Sequence, residues 1–248
     1  MGRYKSLSQY VRDCANFLYV KQFNFYNRMR IIDVTVDFET VGLSNNVALI
    51  ELAATEWNRD AECSDDIFMD SFMQRIDLTS AVFNGREFDA STIKWWQAKP
   101  DAVKEAILSE QCYPEKEVLE NFAAWLEDCG KSADAEVVLW AQGSDFDIAI
   151  LRNRCKEYGI NLPVHFHNFR DARTYILEES IAVHGDAFRK LPRKEFYDMT
   201  YKTIPEYKKE GDELAHEALF DSARTSWSVW HVMHGKTKEV TVDSVTVK

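Results

Sequence analysis

The stretch Ile31-Ile-Asp-Val-Thr-Val-Asp-Phe-Glu-Thr40 constrains this chain more than any other. It reads as an apolar strand that ends by presenting Asp37 and Glu39. Residues two apart on a strand point to the same side, about 6.6 Å from each other, so both carboxylates face one site while Val36 and Phe38 face the other layer. Like charges this close repel unless a cation neutralises them or one takes up a proton, so a buried Asp-x-Glu pair implies a hard divalent cation between its oxygens. A solvated strand terminus would produce the same two letters, and the rest of the chain has to decide.

The chain has 248 residues, enough for one α/β domain with a substantial core, and its 46% hydrophobic content argues against disorder. Against 41 Asp and Glu stand 30 Lys and Arg, a formal charge of −11 that is unhelpful for holding polyanions by bulk attraction. Nucleic-acid binding would have to be local, through metal ions and a basic rim. The five cysteines, Cys14, Cys63, Cys112, Cys129 and Cys155, are scattered and never form Cys-x-x-Cys, so they read as reduced thiols of a cytoplasmic protein. No apolar run approaches the ~18 residues of a membrane span, and Lys21 cuts short the only apolar N-terminal run. A cytoplasmic protein without membrane association is expected, in the host-cell cytoplasm if the chain is phage-encoded.

Along the chain, residues 1–28 read as an N-terminal extension, either an added helix or sequence upstream of a start at Met29; residues 29–235 form the domain and 236–248 a tail. The apolar runs Val47 to Trp57 and Ile67 to Ile76, separated by polar turns, extend the first strand into an antiparallel meander. Asp89 or Ser91 caps a helix ending before Pro100, and Asp101 to Ser109 opens another. Trp95 and Trp96 either anchor that first helix on the sheet or offer a base-stacking surface. Val118, Leu119, Phe122, Trp125 and Leu126 recur at helical spacing, with Gly130 closing the helix.

Val137 to Ala141 reads as a buried strand that turns at Gly143 into a helix reaching about Tyr158. His165 to Arg170 is a further short strand, followed by a helix after Asp171. From Arg189 to Lys209 basic and aromatic residues interleave, either as a solvated loop or as a local grip on phosphates and bases. The last strong element is a helix from Ala215 through Val232, and the alternating tail from Glu239 could add an edge strand.

Three fragments stand out: Asp37-x-Glu39, Phe146-Asp147, and His216 five residues before Asp221. In this order and spacing they resemble the DEDD superfamily of 3'-to-5' exonucleases, in its histidine branch (DEDDh). The resemblance reaches from about Met29 to Met233 and is nearest to the phage exonuclease A (DexA) type and the mycobacterial-type exoribonucleases. There Thr-Ile-Lys-Trp-Trp and Asp-x-Arg-Thr segments, here Thr92 to Trp96 and Asp171 to Thr174, accompany the catalytic motifs. The tyrosine branch needs a tyrosine where Glu217 stands.

The resemblance implies an α/β, ribonuclease-H-like fold, with a central mixed sheet, antiparallel in its first three strands, flanked by helices. It implies two divalent cations, Mg2+ or Mn2+, about 4 Å apart, that clamp the attacking and leaving oxygens. Asp37 would bridge them, Glu39 and Asp221 would complete one site, and Asp147 would hold the second. His216 would be the general base, on a mobile approach to the last helix, with an ordinary pKa of about 6.5 suited to neutral pH. Asp145 competes with Asp147, and the Phe-Asp pairing favours Asp147. Thr40, Trp95, Trp96 and Arg173 are candidate substrate contacts.

The implied activity is 3'-to-5' hydrolysis from a nucleic-acid 3' end, single-stranded DNA favoured and RNA or short oligoribonucleotides the alternative. A non-catalytic nucleic-acid-binding protein on a nuclease fold is the reading from another class. The sequence leaves a homo-oligomer undetermined.

Overall fold

The computed structural model describes residues 30–99, 111–207 and 216–238. The N-terminal extension, the helix read over Asp101 to Ser109, the C-terminal edge strand, Cys14, Lys208 and Lys209 lie outside the described residues.

The first strand, β1 (Ile31–Thr40), pairs antiparallel with β2 (Leu49–Trp57), which pairs antiparallel with β3 (Phe68–Ile76). On its other side β1 runs parallel to β5 (Glu136–Ala141), and β5 parallel to β6 (Phe169–Asp171). A two-residue β4 (Cys112–Tyr113) adds to the end of β3, giving the order β4-β3-β2-β1-β5-β6. The mixed sheet, with its antiparallel meander, is the architecture expected from the sequence.

The two faces of β1 differ in chemistry, and that difference positions the site. Val34, Val36 and Phe38 enter an apolar core, where Val118, Leu119, Phe122 and Leu126 of α3 (Glu115–Ala133) cover them with Ile148 and Leu151 of α4 (Asp147–Tyr158). Each such side chain removed from water contributes roughly 1.5–3 kcal/mol. The opposite face presents Asp33, Thr35, Asp37 and Glu39, and the helix laid across it, α8 (Ala218–Met233), meets it with small hydroxyl residues. Ser226 Oγ donates to Thr35 Oγ1 at 2.8 Å, and Ser222 and Thr55 share a bond of 2.8 Å. Small side chains let α8 approach closely enough to bring its first turn, with Asp221, beside the end of β1.

The other helices are α1 (Leu78–Phe83), α2 (Ala90–Gln97), α5 (Ala172–His184), α6 (Asp186–Arg189) and α7 (Arg193–Thr203). Aspartates set three starts: Asp77, Asp89 and Asp171 accept from the backbone N–H of Thr79, Thr92 and Thr174 at 2.9, 2.7 and 2.7 Å.

Several local expectations are corrected. Gly130 does not close α3; the helix continues to Ala133, and Asp134, at φ 49°, is its left-handed cap. Gly130 instead sits where the chain folds back, since a Cβ there would lie 3.2 Å from the Ala135 carbonyl oxygen. Of the strand read over His165 to Arg170 only Phe169 and Arg170 are extended, in β6, preceded by a 3-10 turn over Phe166–Asn168. The basic-aromatic segment is largely helical, as α7, and not a loop. The last helix begins at Ala218 rather than Ala215. Neither α1 nor β4 was legible in the sequence.

Candidate active site

Four acids approach one another at the carboxyl edge of β1. The alternation of β1 turns Asp37 and Glu39 to the α8 face, with Glu39 only 8% exposed and Asp37 half-buried. Asp147 opens α4 immediately after the β5 turn and is 5% exposed, accepting the Phe38 backbone N–H at 3.3 Å. Asp145, two residues earlier, is exposed. Asp221 lies in the first turn of α8, and its Oδ2 accepts the His216 backbone N–H at 3.2 Å. Glu39, His216 and Asp221 each place one ligand-type atom within 4.8 Å of the others.

The electrostatics show the cost of this gathering. Burial, then repulsion from Asp147, Glu39 and Asp221, holds the Asp37 carboxyl well above the usual carboxylate range. Burial, with Asp221, Glu51 and Asp147 around it, pushes Glu39 up to about 9. Asp147 is raised to about 7, chiefly by burial, with the Phe38 N–H working in the opposite direction. Burial and crowding thus outweigh the opposing pull of Arg224 on Asp37, Lys99 on Glu39 and Arg173 on Asp147.

Oδ1 of Asp221 is buried without a hydrogen bond, although an Arg224 guanidinium nitrogen lies 2.8 Å away. Crowded, buried acids with oxygen donors predominating fit a hard divalent cation.

His216 precedes α8 and has φ 76°, uncommon for a non-glycine residue. Its ring stands edge-to-face with Trp95 at 4.7 Å between centroids, and Trp95 meets Trp96 in the same way at 4.9 Å. Burial first, then Lys99, lowers the His216 pKa, with Asp221 opposing. Trp96 donates its indole N–H to the Thr40 carbonyl at 2.9 Å, while the 43%-exposed Trp95 carries the Lys99 ammonium 3.8 Å from its ring centre.

The Thr40 hydroxyl is committed to the Gly42 carbonyl at 2.7 Å. Exposed Arg173 donates to the Gln142 carbonyl at 2.9 Å on the β5 side. The remaining histidines are elsewhere: His184 stacks on Phe188, His231 and His234 bond helix carbonyls, and His165 and His167 are exposed.

Sequence reasoning missed two neighbours. Glu51, fully buried opposite Glu39 on β2, accepts the Ala218 N–H at 3.1 Å and pairs with Arg75 at 3.2 Å, so it ties the start of α8 to the sheet. Its only signal was an acid inside an apolar run. Arg224, one turn beyond Asp221, had no signal outside that spacing.

A mixed sheet with this strand order, four acids at the end of its first strand and a histidine ahead of its last helix define a DEDDh 3'-5' exonuclease. The chain belongs to the 3'-5' exoribonuclease Rv2179c-like domain family, whose sequence profile matches residues 32–233. It is 26% identical over 215 residues to an exodeoxyribonuclease of Enterobacteria phage T4, covering 78% of this chain and 86% of the phage protein. A full-length 3'-exonuclease structure matches at TM-score 0.51 and 14% identity, covering 88% of this chain and 93% of that one. Cell-death related nuclease 4 (CRN-4) matches at TM-score 0.52 and 17% identity over 84% of this chain, which spans 65% of that protein's length. At these identities the structural likeness is one of fold.

Proposed function

We propose that this chain is a metal-dependent exonuclease that removes 5'-mononucleotides from the 3' end of single-stranded DNA. The observation that carries the reading is the convergence of Asp37, Glu39, Asp147 and Asp221, with raised carboxyl pKa values at the first three and His216 beside them. These acids would hold two divalent cations, Mg2+ or Mn2+. Bound there, the cations supply positive charge against the attacking and leaving oxygens.

In this reading His216 acts as general base, accepting a proton from the attacking water at an imidazole nitrogen. Its lowered pKa keeps the ring neutral and ready to accept near pH 7. Trp95, edge-to-face with the imidazole, and the His216 N–H bond to Asp221 hold the base in place. Water oxygen bonds to phosphorus as the bond from phosphorus to the 3' oxygen breaks, leaving a 5'-phosphate on the released nucleotide. Trp95, exposed beside His216, offers a face for the terminal base.

The likeness to the phage T4 exodeoxyribonuclease over most of its length supports DNA. The exoribonuclease description of the family supports RNA as the second reading. Matched 3'-labelled and 5'-labelled DNA and RNA single strands, incubated with Mg2+ or Mn2+, separate them. Immediate mononucleotide release from the 3' label, faster on DNA and absent in Asp37→Ala, is expected. Strong preference for RNA would reverse the substrate assignment, and binding without metal-dependent release would favour the non-catalytic reading.

A further inference from the structure

Bordered by Arg224, the ion-pair partner of Asp221, lies a groove of about 400 Å³ whose lining includes Gln142, Tyr201, Tyr207, Arg224 and Ser228. Trp96 binds the Thr40 carbonyl, next to Glu39, and Trp95 meets His216.

The polar groups around the groove are arranged rather than scattered. The Gln142 side-chain amide donates to the Tyr201 hydroxyl, and the Gln142 carbonyl accepts from Arg173 at 2.9 Å. Arg173 reaches that carbonyl across Gly143, whose φ is 114°; a Cβ there would lie 3.3 Å from a guanidinium nitrogen. Glycine thus lets the guanidinium lie against the turn. Arg224 lines the groove together with Tyr201, and Arg173 reaches its Gln142 wall through the Gln142 carbonyl. Arg224 is 47% exposed, shared between Asp221 and the Phe220 ring, 5.7 Å from its centre. Glu206 also lines the groove, so the anion-seeking part is where Gln142, Tyr201 and Arg224 meet.

We propose that Arg173, Tyr201 and Arg224 form a seat for an internucleotide phosphate upstream of the bond that is cleaved. Each guanidinium carries five donors in a planar fork matched to phosphate oxygens, and the tyrosine hydroxyl adds a neutral one. In a chain of net charge −11, a small seat of this kind supplies the attraction that the whole surface withholds. The Asp221 oxygen that faces Arg224 is also the one left without a hydrogen bond.

The proposal rests on the nuclease reading, and its test separates the two. A 5'-fluorescein single-stranded decamer is titrated with full-length protein in Ca2+ at several salt concentrations, by fluorescence anisotropy. Arg173→Gln, Arg224→Gln and Tyr201→Phe are compared with the unaltered protein, and thermal melting is recorded for each. Each arginine variant is expected to flatten the slope of log affinity against log salt by about 0.7, the value of one lost phosphate contact on a single strand. Tyr201→Phe is expected to weaken binding severalfold with the slope unchanged. Unaltered slopes in both arginine variants, weakening that tracks a lowered melting temperature alone, or no decamer binding by the unaltered protein would each overturn the seat. Slope changes without hydrolysis in Mg2+ or Mn2+ would remove the nuclease reading and keep the seat; hydrolysis without slope changes would do the reverse.

Discussion

Glu115 and the acids around Asp37 are both withdrawn from water, yet they are balanced in opposite ways. Glu115, fully buried at the start of α3, lies 2.9 Å from an Arg86 nitrogen and 3.1 Å from an Arg154 nitrogen, and both arginines are buried with it. On β1 itself, Asp33 is treated similarly, with Arg59 at 2.6 Å and the Trp140 indole N–H at 2.7 Å. Two and three pleats further along the same face, Asp37 and Glu39 have no ion pair among the described residues. A buried acid that the protein neutralises itself holds the fold together; one left without an ion pair awaits a cation from outside.

The sharpest way to break this comparison is Asp37→Ala. It is expected to lower metal-dependent hydrolysis by about three orders of magnitude or more, with no loss of melting temperature in the metal-free protein; retained activity would remove Asp37 from the chemistry. Asp147→Asn should likewise abolish cleavage, whereas Asp145→Asn, at an exposed position, only weakens it. The reverse pattern would exchange the two.

Glu115→Ala should do the opposite of Asp37→Ala. It strands two buried guanidinium groups and is expected to cost about 3–5 kcal/mol in denaturant unfolding. A loss below about 1 kcal/mol would mean that water replaces the carboxylate.

A smaller effect concerns pH. Glu39 is held up to about 9 in the folded chain and returns to about 4.3 on unfolding, so between these values the folded state binds more protons. That contribution to stability is full at low pH and is lost as pH rises toward 9. Asp37, raised for the same reason, has the same sign. Metal-free protein should therefore lose stability relative to Glu39→Gln as pH rises from about 5.5 to about 8.5, and saturating Mg2+ should cancel the loss. A gap that narrows with rising pH would contradict the shifts.

Much of this was legible before any coordinates. Asp37-x-Glu39 declared itself because a strand's two-residue period fixes which side chains share a face, and α3 because Val118, Leu119, Phe122 and Leu126 recur at the helical period. Asp89 was readable as a cap because capping depends on neighbours in sequence. Glu51 and Arg224 were not, because their importance lies in partners brought together by the tertiary fold: Glu51 opposite Glu39 and beneath Ala218, Arg224 beside both Asp221 and a groove formed by α7. Gly130 misled for a similar reason, since its missing Cβ serves the returning chain rather than a helix end.

The most direct test of the balance of charge is anomalous diffraction from crystals soaked in Mn2+. Two manganese peaks among Asp37, Glu39, Asp147 and Asp221, and none at Glu115 or Asp33, are expected. Manganese absent from the four acids, or bound equally at Glu115, would contradict the view that these crowded acids are a cation site.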